Sequence, residues 1–222
     1  MINVALDGPS GAGKSTIARE AAKIFDFTYI DTGAMFRSLA FKALRENINI
    51  KSEEGKVEAM LQNTTLDIAR MDDGQHMILD GCDITGFIRT PEVSKAASDI
   101  AVIPFVRQWL LEAERGVASK CNCIMDGRDI GTSVLPDADV KIFLTASPEA
   151  RAKRRLAELK EKGVDVSYDE VLAEMKYRDK QDSNRAVSPL KMADDAILAD
   201  TTELDLEESI ALVCDIIRKV TH

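Results

Sequence analysis

The sequence predicts an α/β protein with a parallel sheet flanked by helices and one small antiparallel insertion. Three observations predict it. Strand-length apolar runs alternate with segments of helical period, a glycine-rich loop joins the first run to the first helix, and one segment alternates residue by residue as a hairpin does. At 222 residues the chain can bury a substantial core, and one domain with subdomains is expected.

Ile2 to Leu6 is the first apolar run, and Ile17, Ala21, Ile24 and Phe25 follow at helical spacing. Phe27 to Ile30 predicts a second strand, and Met35, Leu39, Ala43 and Leu44 a second helix. Such βαβ alternation implies parallel pairing. Residues 64 to 80 differ, because TLDIAR and HMILD each alternate and Asp72-Asp73-Gly74 supplies a turn. A hairpin joins a parallel sheet poorly, so an inserted lobe is placed at about 52–95, with the core formed by 1–51 and 96–222. Beyond it come helices near 91–101 and 104–118, strands at Cys121 to Met125 and Val140 to Leu144, and a helix from Pro148. A helix near 167–183, a short strand Ala196 to Ala199 and an amphipathic helix from Leu206 complete the chain, the last with Leu206, Ile210, Val213 and Ile217 on one stripe.

Composition excludes several classes. No apolar run approaches the roughly 20 residues of a membrane-spanning helix. The N-terminus lacks a signal-peptide pattern, so a soluble, cytoplasmic protein is expected. Cys82, Cys121, Cys123 and Cys214 include no C-x-x-C pair and read as buried free thiols, with Cys121 and Cys123 on one strand face. His76 and His222 have no partner at ligand spacing, which argues against zinc or a histidine triad. A net charge of −9 opposes general nucleic-acid binding. Residues 141 to 191 nevertheless hold 12 Lys and Arg against 9 Asp and Glu, a cationic stretch suited to a small anion or to solvated helix faces.

The stretch GPSGAGKST fits G-x-x-x-x-G-K-[ST], with Gly8, Pro9, Ser10, Gly11, Ala12, Gly13, Lys14, Ser15 and Thr16 forming a loop for the phosphates of a nucleoside triphosphate. Glycines let amide hydrogens turn inward as an anion nest, and the following helix adds its unpaired amides and dipole. Lys14 reaches the β and γ phosphates, and the Ser15 hydroxyl is placed for Mg2+. Thr16 is expected to pack or cap. Asp126, ending an apolar run, is the second candidate metal ligand, with loop capping as the alternative.

Three classes share such a loop: small-molecule kinases, GTPase-type switches and partner-coupled ATPases. No N-K-x-D string occurs, and the D-x-x-G match at 83–86 follows a hairpin instead of a core strand. The arginines Arg37, Arg89, Arg107, Arg128, Arg151, Arg154, Arg155, Arg178 and Arg185 favour transfer between two phosphates, since guanidinium forks align and neutralise them. No obligate protein partner is implied.

GPSGAGKST, DTGAMFR (31–37), DGRDIGT (126–132) and RDKQDSNRAVSPL (178–190) together resemble the bacterial cytidylate kinases, over nearly the whole chain. The resemblance implies a P-loop kinase core, an inserted NMP-binding lobe and a short lid at about 151–167. It implies transfer from ATP to CMP or dCMP, with the acceptor in the cleft between core and lobe. Thr32, Arg37, Arg128 and Arg185 would hold the acceptor phosphate; Ser98, Arg107 and Asp129 would read cytosine; Arg178 and Asp182 would address the ribose. Lys14, Arg128, Asp129 and Arg185 would be catalytic, while Arg151, Arg154 and Arg155 would belong to the lid, the latter two on ATP. The i, i+3, i+4 spacing of those three also suits an exposed helix face. Two departures are Thr32, where serine is common, and Phe36, where tyrosine is frequent. Kinases of UMP, shikimate or dephospho-coenzyme A, and a P-loop switch, remain the alternatives.

Overall fold

The computed structural model describes residues 1–71, 74–161, 163–185 and 187–221. By internal contacts the chain forms two compact units, one of Met1–Tyr29 with Cys121–His222 and one of Ile30–Lys120.

The first unit is built on a five-stranded sheet in the order β2-β6-β1-β7-β8. Its strands are β1 (Asn3–Asp7), β2 (Thr28–Asp31, of which Thr28 and Tyr29 belong here), β6 (Cys123–Gly127), β7 (Val140–Thr145) and β8 (Ile197–Asp200). β1 lies parallel to β6, with Val4 opposite Ile124, and to β7, with Leu6 opposite Ile142. β7 runs parallel to β8 with Ile142 opposite Ile197. Central strands of such a sheet are covered on both faces, hence the unbroken apolar runs. α1 (Lys14–Phe25) covers one face with the small side chains Ala18, Ala21 and Ala22, which let the helix approach the sheet closely. α8 (Leu206–Thr221) packs beside it through Val213, Cys214 and Ile217. Each fully buried Val, Leu or Ile side chain contributes about 1.5–3 kcal/mol.

α6 (Pro148–Glu161) and α7 (Tyr168–Ser183) form a helical pair with a small core of its own, Ala152, Val171 and Met175, joined by Leu156, Leu159 and Leu172. Ser167 starts α7 in a capping box, its hydroxyl accepting from Glu170 N at 3.3 Å while Glu170 accepts from Ser167 N at 2.9 Å.

The second unit joins α2 (Thr32–Arg45), α3 (Glu54–Gln62), the antiparallel strands β3 (Leu66–Met71), β4 (Gly74–Leu79) and β5 (Cys82–Asp83), α4 (Pro91–Ile100) and α5 (Pro104–Ala118). The hairpin register sets Leu66 opposite Leu79 and Ile68 opposite Met77. Asp72 and Asp73 of the expected turn lie outside the described residues, as do His222 and Lys162. α2 packs on α4, and Lys42 joins α2 to the sheet by donating to Asp80 at 2.6 Å and to Asn63 O at 2.8 Å. The unit is wider than 52–95 because α2, α4 and α5 pack with the hairpin and α3.

Several expectations change. Ile24 is 56% exposed, because the buried stripe of α1 centres on Ala18 and Ala21, a quarter turn away. Leu206, the first residue of α8, is exposed and outside its stripe. Cys121 precedes β6, so it shares no strand face with Cys123, and Cys82 is exposed; all four thiols are free. α3, β5 and a wide helical turn after β6, closed by Val134 N to Asp129 O and Leu135 N to Ile130 O, were not expected. Among the described residues no helix is long and apolar enough to cross a membrane.

Candidate active site

The loop after β1 needs its glycines at specific points. Gly8 has φ of 150°, and a Cβ there would lie 1.9 Å from Leu144 O. Gly11, with φ of 75°, would meet the Met175 Cε at 2.8 Å. Gly13, at φ of 90°, caps α1 in the left-handed region, and no side chain takes the helix's first amides. The expectation that Thr16 packs or caps therefore fails: it is exposed and makes no cap. Those open amides, together with the helix dipole, suit a phosphate. Lys14 is 5% exposed and folds back to donate to Pro9 O at 2.8 Å. Burial, helped by Arg128, pushes its ammonium down to about 7, against the pull of Asp126, Asp7 and Asp182. Ser15 is half-buried in the first helical turn.

Arg151 braces this loop from outside. It is 3% exposed and donates to Ser10 O and Ala146 O, both at 2.9 Å, and to Asp179 at 3.0 Å. The three regularly spaced arginines thus diverge. Arg154 holds the turn after β8 through Thr201 Oγ1 at 3.3 Å and Leu204 O at 3.2 Å. Arg155 pairs with Glu158 on the surface at 2.9 Å. An exposed helix face describes only Arg155.

β6 delivers Asp126, 4% exposed, whose Oδ2 accepts from the Tyr29 hydroxyl at 2.9 Å. Asp126 lies within the strand and not in a capped loop. Arg128 and Asp129 follow, and the wide turn behind them is pinned by Asp7, whose two oxygens accept from Ile130 N at 2.8 Å and Gly131 N at 2.7 Å. Burial raises Asp7 to about 6 despite those two bonds. Asp182 joins two arginines, accepting from Arg128 Nε at 3.0 Å and from Arg185 Nη2 at 2.5 Å. Burial and the neighbouring Arg128 hold Arg178 below the usual guanidinium range. Lys14, Arg128, Arg178 and Arg185 therefore share one mostly buried region with Asp182, a concentration of positive charge that a polyphosphate would relieve.

In the second unit Asp31 caps α2 by accepting from Ala34 N at 2.8 Å through Oδ1, and its Oδ2 accepts from Arg37 at 3.0 Å and Arg89 at 3.1 Å. Thr32 is buried beside it. Gly33 keeps the corner open, since a Cβ there would lie 3.1 Å from both Arg37 Nη1 and Asp31 Oδ1. Arg107 donates to Ala101 O at 3.3 Å and stands over the Phe36 ring at 5.5 Å, so the phenylalanine serves as a cation–π platform. Ser98 donates back to Ser94 O at 3.3 Å on its own helix.

Sequence reasoning missed Asp7, Tyr29, Asp31 and Asp179, and left Arg89 unassigned within its set of arginines. One signal was available. β1, β2 and β8 end VALD, TYID and ILAD, and β6 reads CIMDG, each placing a carboxylate at or next to the last position of its strand, at the C-terminal edge where α/β proteins bind ligands.

A phosphate loop between β1 and α1, a lysine inside it and a cluster of arginines at the ends of the strands define a P-loop phosphotransferase. The match to known sequences is narrower: the cytidylate kinase family model covers residues 4–219. The chain is 48% identical over 216 residues to the cytidylate kinase of Carboxydothermus hydrogenoformans, covering 97% of each chain. It is 51% identical to that of Caldanaerobacter subterraneus subsp. tengcongensis, covering 99% of this chain and 96% of the other. It is 45% identical to that of Bacillus subtilis, over 93% and 92%. The chain belongs to the cytidylate kinase family, and is an ATP-dependent nucleoside monophosphate kinase. A switch GTPase or a shikimate-type kinase is not favoured.

Proposed function

We propose that the chain transfers the γ-phosphoryl group of ATP to CMP or dCMP, giving ADP and CDP or dCDP. The observation that carries this reading is the convergence of Lys14, Arg128, Arg178 and Arg185 around Asp182 beside the phosphate loop. ATP lays its phosphates on residues 8–16, and Lys14 leaves Pro9 O for the β and γ phosphates, which restore its full charge. The acceptor phosphate is taken by Thr32, Arg37, Arg128 and Arg185, cytosine by Ser98, Arg107 and Asp129, and the ribose by Arg178 and Asp182. An acceptor oxygen attacks the γ-phosphorus in line as the bond to the β-phosphate oxygen breaks, and no bond to the protein forms. Positioning and charge neutralisation supply the catalysis. Ser98 must turn from Ser94 O, and Asp182 must share its oxygens with two guanidiniums, so both roles require rearrangement on binding.

Magnesium fits this donor set. Ser15 and Asp126 offer one hydroxyl and one buried carboxylate, and Mg2+ is usually held by one or two protein ligands with phosphates and water. Bound there, it would neutralise charge on the transferring phosphate. Among the described residues no group of three metal-binding side chains exists that would hold it without the nucleotide. The NMP-binding insert at about 52–95 and the lid at about 151–167 are the segments proposed to close on the substrates, with Arg154 and Arg155 on the ATP side and Arg151 holding the loop. Closure would exclude water and suppress hydrolysis.

The test measures ATP consumption and product with CMP, dCMP, UMP, shikimate and dephospho-coenzyme A, for the wild type and Asp129→Ala. CDP from CMP, with UMP poorer and Asp129→Ala hurting CMP more than background ATPase, is expected. Hydrolysis indifferent to every acceptor, or equal use of CMP and UMP by both proteins, contradicts the proposal.

A further inference from the structure

Ser15 and Asp126, the two residues assigned to magnesium, are tied together through a third that phosphotransfer itself does not use. Tyr29, in β2, is half-buried, and its ring packs against the apolar core that α1 covers. Its hydroxyl donates to Asp126 Oδ2 at 2.9 Å, a contact between two strands 97 residues apart in sequence. The guanidinium carbon of Arg19 stands 5.6 Å from the centre of the same ring. Arg19 lies four residues after Ser15 on α1, so the two share a face of that helix. One ring therefore links the helix face that carries the Ser15 hydroxyl to the strand that carries the Asp126 carboxylate.

A buried carboxylate needs donors, and a phenol that donates to one of its oxygens also fixes the plane of the group. Outer donors of this kind orient metal-ligating carboxylates and are felt in metal affinity. We infer that Tyr29 is a positioning residue for magnesium. Its hydroxyl holds the Asp126 carboxylate in the orientation the ion requires, and Arg19 holds the Tyr29 ring. The inference rests on the assignment of Ser15 and Asp126 to magnesium proposed above.

Calorimetric titration of ADP into the full chain tests it, at rising Mg2+ and again in EDTA, with wild type, Tyr29→Phe and Asp126→Asn. Tyr29→Phe keeps the ring and its packing and removes one oxygen. It is expected to need about tenfold more Mg2+ to reach half of the metal-dependent gain in ADP affinity, while its affinity in EDTA stays within about twofold of wild type. A purely structural hydroxyl would weaken binding equally with and without the metal. A Tyr29→Phe midpoint within about twofold of wild type, or ADP binding in EDTA weakened as much as in Mg2+, therefore overturns the inference. If Mg2+ does not tighten ADP binding to the wild type, or Asp126→Asn leaves the midpoint in place, the magnesium assignment falls and this inference with it. If Asp126→Asn moves the midpoint and Tyr29→Phe does not, only the assignment of Tyr29 fails.

Discussion

Replacing Asp7 with asparagine should flatten the protein's stability profile in mild acid while impairing acceptor recognition. The carboxyl titrates near 3.8 in an unfolded chain and near 6 in the folded one, where burial disfavours its charge. Between those values the folded protein holds a proton that the unfolded chain has lost, so stability falls as pH rises through the window and stays low above it. A shift from 3.8 to about 6 corresponds to about 3 kcal/mol in full. About 2 kcal/mol of that falls between about pH 4 and 6.5, below the midpoint of about 7 at which Lys14 titrates. Asparagine keeps the shape but cannot ionise, so urea unfolding of wild type and Asp7→Asn across that range should show the variant gaining about 2 kcal/mol on the wild type. Asparagine also has one acceptor oxygen for two amides, so Ile130 N or Gly131 N is left without a partner. That loss displaces the whole difference curve without changing its slope, and it loosens the turn behind Arg128 and Asp129. KM for CMP should therefore rise more than KM for ATP. A difference curve independent of pH would refute the claim that Asp7 is buried against its own charge.

Lys14→Ala should lower phosphotransfer on the order of 10²-fold or more without lowering the melting temperature, because the folded chain no longer buries an ammonium; full turnover by that variant would remove Lys14 from the mechanism. Arg151→Met should destabilise by about 2–3 kcal/mol in urea and weaken ATP binding, since Asp179 loses its partner and Ser10 O its donor; unchanged stability would contradict the bracing role. Gly8→Ala should cost more than about 4 kcal/mol or fail to fold, because its Cβ would press on the Leu144 carbonyl, and wild-type melting would contradict the loop geometry.

Fold class was legible because the central strands β1 and β6 are largely apolar, α1, α2, α5 and α8 each bury one stripe, and the phosphate loop stands between a strand and a helix. The starts of α4 and α5 were legible from Pro91 and Pro104. α3 was not, because Val57, Met60 and Leu61 give it only three buried residues among polar neighbours. Individual arginines were harder. Arg151, Arg154 and Arg155 are nearly adjacent and chemically identical, yet one is interior, one braces a turn and one is on the surface. Their fates depend on Asp179, Thr201 and Glu158, and two of these three partners lie far along the chain. Resemblance assigned Asp182 to the sugar, whereas the free protein shows it saturated by two cations, a competition that no single motif can display.

The path of the chain through β2 and β6 has an evolutionary corollary. Residues 30–120 leave the core beside the point where they return, and Thr28 N donates to Asn122 O at 2.8 Å across that junction. The anchoring ends are stitched together by the sheet itself, so the intervening stretch resembles a cassette whose lengthening costs the core only about 0.6 kcal/mol per doubling. Grafting a different cassette at this seam is a route by which one phosphate-handling chassis could acquire a new client while its own register stays intact.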